Sequence, residues 1–278
     1  MLSKIYVEIT NICNLGCSFC HGTKRAPCRM TADEFSLICD RIKGHTEYLY
    51  LHVLGEPLTH PELSDILRIA ADKGYKTCIT TNGFLLRERA DALLSAEKLY
   101  KLSVSLHSYE ANSAAVPLSD YLENVWSLVT RLSEKGTYCV LRLWNGGGKN
   151  ELNGEIIAFL REKTGSVWTE TRSGSLKIAK NLYLESAEKF DWPDVNEAER
   201  NVQFCRGLRD QAAVLCDGTV VPCCLDADGS IALGNIFDTP FGEILNGDRA
   251  RAMYEGFSNR RCTEELCRRC GYAERFSL

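Results

Sequence analysis

The chain has 278 residues, 45% hydrophobic and 25% charged, which suits one α/β barrel of ordinary size with a small extension and excludes a chain that is mainly disordered. With Lys+Arg 33 against Asp+Glu 37, the formal charge of -4 excludes an overall positive field for gathering nucleic acid or anionic membrane. The opening MLSKIYVEIT lacks the basic and apolar regions of a secretory signal, and no apolar run reaches membrane-spanning length, so the expected location is cytoplasmic.

Residues 4–10 alternate as a strand, followed by a Cys/Gly/Asn/Pro-containing loop. Thr31-Ala-Asp-Glu34 forms a capping box that starts a helix over FSLICDRI. Then come a buried strand at 47–54, the tripeptide Gly55-Glu56-Pro57, a helix from about Pro61 to Lys73, and a strand at 75–81 ending in Thr81-Asn82-Gly83. A helix near 86–95, a strand at 99–106, a long helix over 118–135, a strand at 137–144 and a helix at 151–163 complete five strand–helix units, with a sixth strand at either 166–171 or 180–185. Strand–helix alternation specifies a parallel sheet wound right-handedly, as an open sheet or a complete or partial barrel. After about residue 190 the pattern breaks: WPDVNEAER reads as linker or short helix, and from Cys205 short Gly-, Asp- and Cys-containing segments take over. The expected division is 1–190 and 191–278, the second part too short for a large apolar core and held by a metal.

Fourteen cysteines cluster at both ends, which in a reducing compartment points to metal ligation or redox chemistry. Cys13, Cys17 and Cys20 place three thiols in eight residues directly after the first strand. Thiolates suit zinc and iron–sulfur clusters, and the asymmetric spacing, with only His21 or Cys28 as a nearby fourth ligand, makes structural zinc the poorer fit. Three ligands on a four-iron cubane leave one iron open to substrate, and a loop at the C-terminal edge of parallel strands lies where active sites form.

Cys-x3-Cys-x2-Cys with Phe19 before its last cysteine resembles the hallmark of the radical S-adenosylmethionine superfamily. The order of later motifs agrees: Gly55-Glu56-Pro57 resembles the segment that binds the cofactor's methionine amino group, and Thr81, Asn82 and Ser105 match positions that contact its ribose and carboxylate, with Arg142 a further carboxylate candidate. Leu54 departs from the family's usual glycine. The resemblance covers residues 1 to about 185 and implies a partial (βα)6 TIM-type barrel carrying a 4Fe-4S cluster and S-adenosylmethionine, an electron donor such as flavodoxin or ferredoxin, and a 5′-deoxyadenosyl radical that abstracts hydrogen from an unactivated C–H bond.

In the tail, Gly218-x4-Cys223 followed by Cys267-x2-Cys270 resembles the shortened SPASM extension called a twitch domain. That resemblance implies one auxiliary 4Fe-4S cluster on Cys205, Cys223, Cys267 and Cys270, with electron transfer or pocket shaping as its role. Cys216, Cys224 and Cys262 compete for these positions, and a four-thiolate zinc is the alternative.

His107 and Tyr109 after the fourth strand, and Trp144 and Asn145 after the fifth, sit where loops face an active site and are the candidate substrate residues. Cys39, Cys78 and Cys139 read as buried inert thiols, Cys28 as structural, and Glu8 and His52 as side chains that point into a barrel if the strand facing is right. The implied activity is a radical lyase or oxidoreductase on a small organic metabolite, with cleavage of a deazapurine base such as queuine slightly favoured. A twitch-type dehydrogenase of a small alcohol, a peptide- or protein-modifying maturase, and a non-catalytic zinc-binding module are the alternatives.

Overall fold

A computed structural model describes residues 1–112, 116–165 and 167–276. The elements follow in chain order as β1 (Lys4–Val7), α1 (Ala32–Arg41), β2 (Tyr48–Tyr50), α2 (Leu63–Asp72), β3 (Lys76–Thr81), α3 (Ala90–Ser95), β4 (Leu99–Ser105), α4 (Leu118–Glu134), β5 (Tyr138–Gly146) and α5 (Asn153–Thr164). A three-stranded antiparallel meander of β6 (Thr169–Glu170), β7 (Leu176–Ala179) and β8 (Leu182–Glu188) follows, then β9 (Gln211–Val214), β10 (Thr219–Val221), β11 (Gly234–Asn235), α6 (Phe241–Leu245), α7 (Asp248–Ser258) and α8 (Glu265–Arg268). The strands form one sheet in the order β11-β10-β9-β1-β2-β3-β4-β5-β8-β7-β6.

Strands β1 to β5 are mutually parallel, and β8 adds a sixth parallel strand beside β5. With helices between them, these six parallel strands form an open α/β barrel. Of the two segments considered for the sixth strand, 180–185 is the parallel one; within 166–171, residue 166 lies outside the described residues, and Thr169–Glu170 is an antiparallel edge. Helix α1 begins as its sequence dictates: Thr31 Oγ1 accepts the Glu34 amide at 3.2 Å while the Glu34 carboxylate accepts the Thr31 amide at 2.8 Å. Its apolar side, Phe35, Ile38 and Cys39, is buried against the sheet core.

Alternation sorts the strand side chains into two sets. Ile5, Val7, Leu49, Leu51, Ile79, Leu102, Val104, Leu141 and Leu184 join the large apolar cluster under the helices. The opposite face carries Lys4, Tyr6, Glu8, Tyr50, His52, Cys78, Lys101, Arg142, Tyr183 and Glu185, a polar and aromatic lining. Cys39 and Cys139 are buried in the apolar core, and Cys78 is buried on the inner face beside Tyr50.

The tail is not left to a metal for its core. Strand β9 pairs in parallel with β1 from Lys4↔Gln211 to Val7↔Val214, covering an edge that would otherwise expose its amides and carbonyls. Ala212, Val214, Val220, Ile236, Phe241, Met253 and Phe257 then enter the same apolar cluster as the barrel helices. The segment 191–204, read as linker or short helix, has no regular element, whereas α7 runs for 11 residues where only short segments were expected.

Candidate active site

The loop after β1 gathers Cys13, Cys17 and Cys20 close enough for their thiols to interact electrostatically. Each sulfur has a nitrogen donor aimed at it. The Leu15 amide lies 3.4 Å from Cys13 Sγ, the Gly22 amide 3.4 Å from Cys20 Sγ, and the Asn112 side-chain amide 3.1 Å from Cys17 Sγ. Such donors lower the cost of holding anionic sulfur, so the donor set suits thiolate ligands of a cluster. Asn112 also accepts the Gly16 amide at 3.1 Å and donates to the Ser108 carbonyl at 2.7 Å, pinning the loop to the end of β4. The sequence carried no sign of Asn112, which is remote in the chain from the cysteines.

The turn after β2 is pressed against this loop. Gly55 adopts φ 73°, and a Cβ there would meet the Thr10 carbonyl oxygen at 2.4 Å. The glycine missing at Leu54 is not needed: the buried Leu54 amide donates to Glu8 Oε1 at 3.2 Å, and the positive φ falls on Gly55 alone. Pro57 opens a short 3-10 turn capped by Glu56, whose carboxylate accepts the Leu58 amide at 3.0 Å and the Asn82 amide at 2.7 Å. Burial pushes the Glu56 carboxyl up to about 7, against the opposite pull of those two amides. Thr81 Oγ1 accepts the Gly83 amide at 3.1 Å, and Asn82 donates to Asn14 Oδ1 at 2.8 Å, so this turn too grips the cysteine loop. Ser105 ends β4 beside Arg142 in register, and Arg142 lies 3.5 Å from Glu185 and 4.4 Å from the Trp144 ring.

The four candidate substrate residues separate. Trp144 is on the inner face with Arg142. His107 is buried, with Nδ1 3.0 Å from the Arg142 carbonyl and its ring 4.8 Å from that of Phe19, so it braces the cysteine loop against β5. The Tyr109 hydroxyl donates to the Val116 carbonyl at 2.7 Å while its ring packs on Phe84 and Tyr121. Asn145 is buried and spends its amide on Lys149 and Asn153. The latter three are committed to loop structure.

Glu8 was legible as a charged residue in an apolar strand; its partners were not. It is fully buried, receives Arg25 through both carboxylate oxygens at 2.8 and 2.6 Å, and accepts the Cys216 amide at 3.2 Å. The tail also holds the cysteine loop through Asp228, which accepts the Thr23 hydroxyl at 2.7 Å and the Lys24 amide at 2.9 Å, and through Trp192, whose indole donates to the Phe19 carbonyl at 3.1 Å.

In the tail, Cys223 interacts electrostatically with Cys205 and Cys270, and Cys267 with Cys223 and Cys205. Backbone amides again face the sulfurs: Gly207 and Arg206 for Cys205, Leu225 for Cys223, and Ala273 and Tyr272 for Cys270. Among the described residues no group of three or more His, Cys, Asp or Glu side chains is arranged to hold a single metal ion. Cys224 packs beside Tyr6, Cys216 lies by Cys28 and Arg25, and Cys262 contacts Cys267 at the edge of the group.

The family model for the radical SAM superfamily matches residues 7–160, and that for the SPASM iron-sulfur cluster-binding domain matches residues 205–271. The chain belongs to the radical SAM superfamily. Sequence relatives include the AdoMet-dependent heme synthase of Methanosarcina barkeri, 33% identical over 38% of this chain and 31% of that protein, and a probable GTP 3',8-cyclase of Methanosarcina mazei, 32% identical over 60% of this chain and 53% of its own. The chain thus spans about half or less of these relatives' length. Among solved structures it resembles BtrN in complex with AdoMet and 2-DOIA (TM-score 0.58, 17% identity, 97% of this chain and 93% of that one). It also resembles Streptococcus suis SuiB bound to S-adenosylmethionine (TM-score 0.66, 17% identity, 100% and 75%). At these identities the likeness is one of fold.

A radical SAM domain followed by a SPASM domain implies a 4Fe-4S cluster, S-adenosylmethionine and auxiliary iron–sulfur clusters. Among the described residues no helix is long and apolar enough to cross a membrane.

Proposed function

We propose that this radical SAM enzyme abstracts hydrogen from a small organic molecule held on the inner face of the open barrel. The observation that carries the reading is the pairing of three donor-supported thiols with a polar and aromatic inner face that the large apolar cluster does not use. Cys13, Cys17 and Cys20 would hold the cluster, and Cys205, Cys223, Cys267 and Cys270 an auxiliary one. When bound, the cluster and S-adenosylmethionine supply the one-electron chemistry that protein side chains lack.

The chain's own contribution is placement. Glu56 ties the Gly55 turn to the Asn82 turn, so both present a fixed backbone to the cofactor. Ser105 and Arg142 are placed to meet its polar groups, and Phe19 and His107 wall off the loop. On the inner face Tyr6 and Tyr50 lie 5.0 Å apart, and at the starts of the strands Tyr48 and Tyr100 lie 5.0 Å and Tyr100 and Tyr138 5.2 Å apart, offering flat apolar surface for a ring.

That lining supports a small substrate with a flat ring, and cleavage of a deazapurine-type base is the finer form of the proposal. BtrN, of nearly this chain's length, is seen with 2-DOIA, whereas a structure of the longer SuiB holds a precursor peptide; the first supports the small-molecule reading.

Anaerobic reconstitution, with iron, sulfide and zinc counted in the wild type and in a Cys13/Cys17/Cys20→Ala variant, tests it. The expected result is roughly eight irons falling to four, with dithionite-dependent cleavage of S-adenosylmethionine lost in the variant. Zinc without iron would sink the catalytic reading.

A further inference from the structure

The inner face carries more positive charge than it neutralises. Lys4, Lys101 and Arg142 are near enough to one another to act together on His52, and Glu185 opposes them 3.5 Å from Arg142. Among the described residues neither Lys4 nor Lys101 has a carboxylate at ion-pair distance; the Lys4 ammonium stands 5.1 Å from the centre of the Tyr50 ring. His52 Nδ1 is buried without a hydrogen-bond partner, and Arg142 Nε meets Glu185 only at ion-pair distance, 3.5 Å. Uncompensated like charges in a sheltered place are costly, and an unpaired buried ring nitrogen adds to that cost.

Resting on the radical reading above, we propose that the substrate is an anion, a carboxylate or phosphate attached to a flat ring, whose charge is received by Lys101 and Lys4 and whose ring lies on Tyr50. The site is distinct from the cofactor's end of the barrel. Lys101 pairs in register with Tyr138, four residues before the Ser105–Arg142 level, about 13 Å lower along the strand. Arg142 spans the two, reaching Thr80 Oγ1 at 3.4 Å. Burial and the neighbouring Arg142 hold the Lys101 pKa below its ordinary value, as expected of a cation short of its partner.

The test is calorimetric titration of the reconstituted holoenzyme, in excess S-adenosylmethionine, with naphthalene-2-carboxylate and with its uncharged isostere naphthalene-2-carboxamide. The carboxylate should bind about tenfold more tightly, the size expected for a charge-assisted contact in a sheltered site. In Lys101→Met that preference should fall to about twofold while cofactor affinity stays unchanged; should Lys101→Met not bind the cofactor and so not be folded, Lys4→Met provides the same comparison. Equal affinities in the wild type, no binding of either probe at millimolar concentration, or a preference intact in both variants would each overturn the proposal. Reductive cofactor cleavage measured on the same samples separates the two claims: charge preference without cleavage refutes the radical reading alone, and cleavage without charge preference refutes the anion site alone. Repeating the titration with naphthyl phosphate ranks the two anion types.

Discussion

Asn112 shows how one side chain can set the properties of a cluster site. Its amide serves Cys17 Sγ, the Gly16 amide and the Ser108 carbonyl at once, and no other donor to Cys17 Sγ is found among the described residues. A hydrogen bond to a cluster thiolate favours the reduced, more negative state. Asn112→Leu should therefore shift the midpoint potential of the cofactor-binding cluster by roughly 60 mV to the negative, read by redox titration with electron paramagnetic resonance. An unchanged potential with full iron content would show that the contact is not made in the loaded enzyme. His60 gives a prediction about pH. It is buried, Nε2–H donates to the Met30 carbonyl at 2.8 Å and Nδ1 accepts the Glu62 amide at 3.1 Å, an arrangement only the neutral ring allows. Burial holds its pKa below the ordinary value, so the unfolded chain takes up the proton first as pH falls. Stability should be whole above about pH 6.5 and drop below it, and denaturant unfolding at pH 7 and pH 5 should show a smaller drop for His60→Gln.

At the scale of elements, the turns at the strand ends act as one assembly clasped by buried acids. Glu8 joins β1 to Arg25 of the cysteine loop, to the Leu54 amide after β2 and to the Cys216 amide after β9. Removing its charge leaves a largely buried guanidinium without its partner, so Glu8→Gln should lower the unfolding free energy by about 3 kcal/mol. Adding Arg25→Met should recover most of that loss, because the apolar pair leaves no orphaned charge. Chemical denaturation of the two variants decides it; a double variant as unstable as the single one would mean that the Leu54 and Cys216 amides, rather than the ion pair, supply the energy.

For the whole molecule, the sheet passes from barrel to tail without a break, and one apolar cluster spans both. A chain cut to residues 1–204 loses β9, bares the edge of β1 and removes the side chains packed beneath it, so it should aggregate and fail to bind S-adenosylmethionine, checked by size-exclusion chromatography and calorimetry. The full chain should unfold in a single transition by circular dichroism and tryptophan fluorescence, with Trp144 and Trp192 reporting from its two parts; two separated transitions would contradict the shared core. The strand–helix alternation, the Thr31 capping box, the cysteine spacings and the Gly55 and Asn82 turns were legible because each is a local pattern, fixed by backbone periodicity or by residues a few positions apart. Asn112 against Cys17, Asp228 against Thr23, β9 against β1 and the meeting of Lys4, Lys101 and Arg142 were not, because they join residues scores of positions apart that carry no mutual pattern. The sequence by itself determined the family, the elements and the grouping of the thiols; only the tertiary structure decided which donors serve those thiols, how the tail finds its core and what charge the barrel presents, since those depend on strand order and on which face each side chain takes.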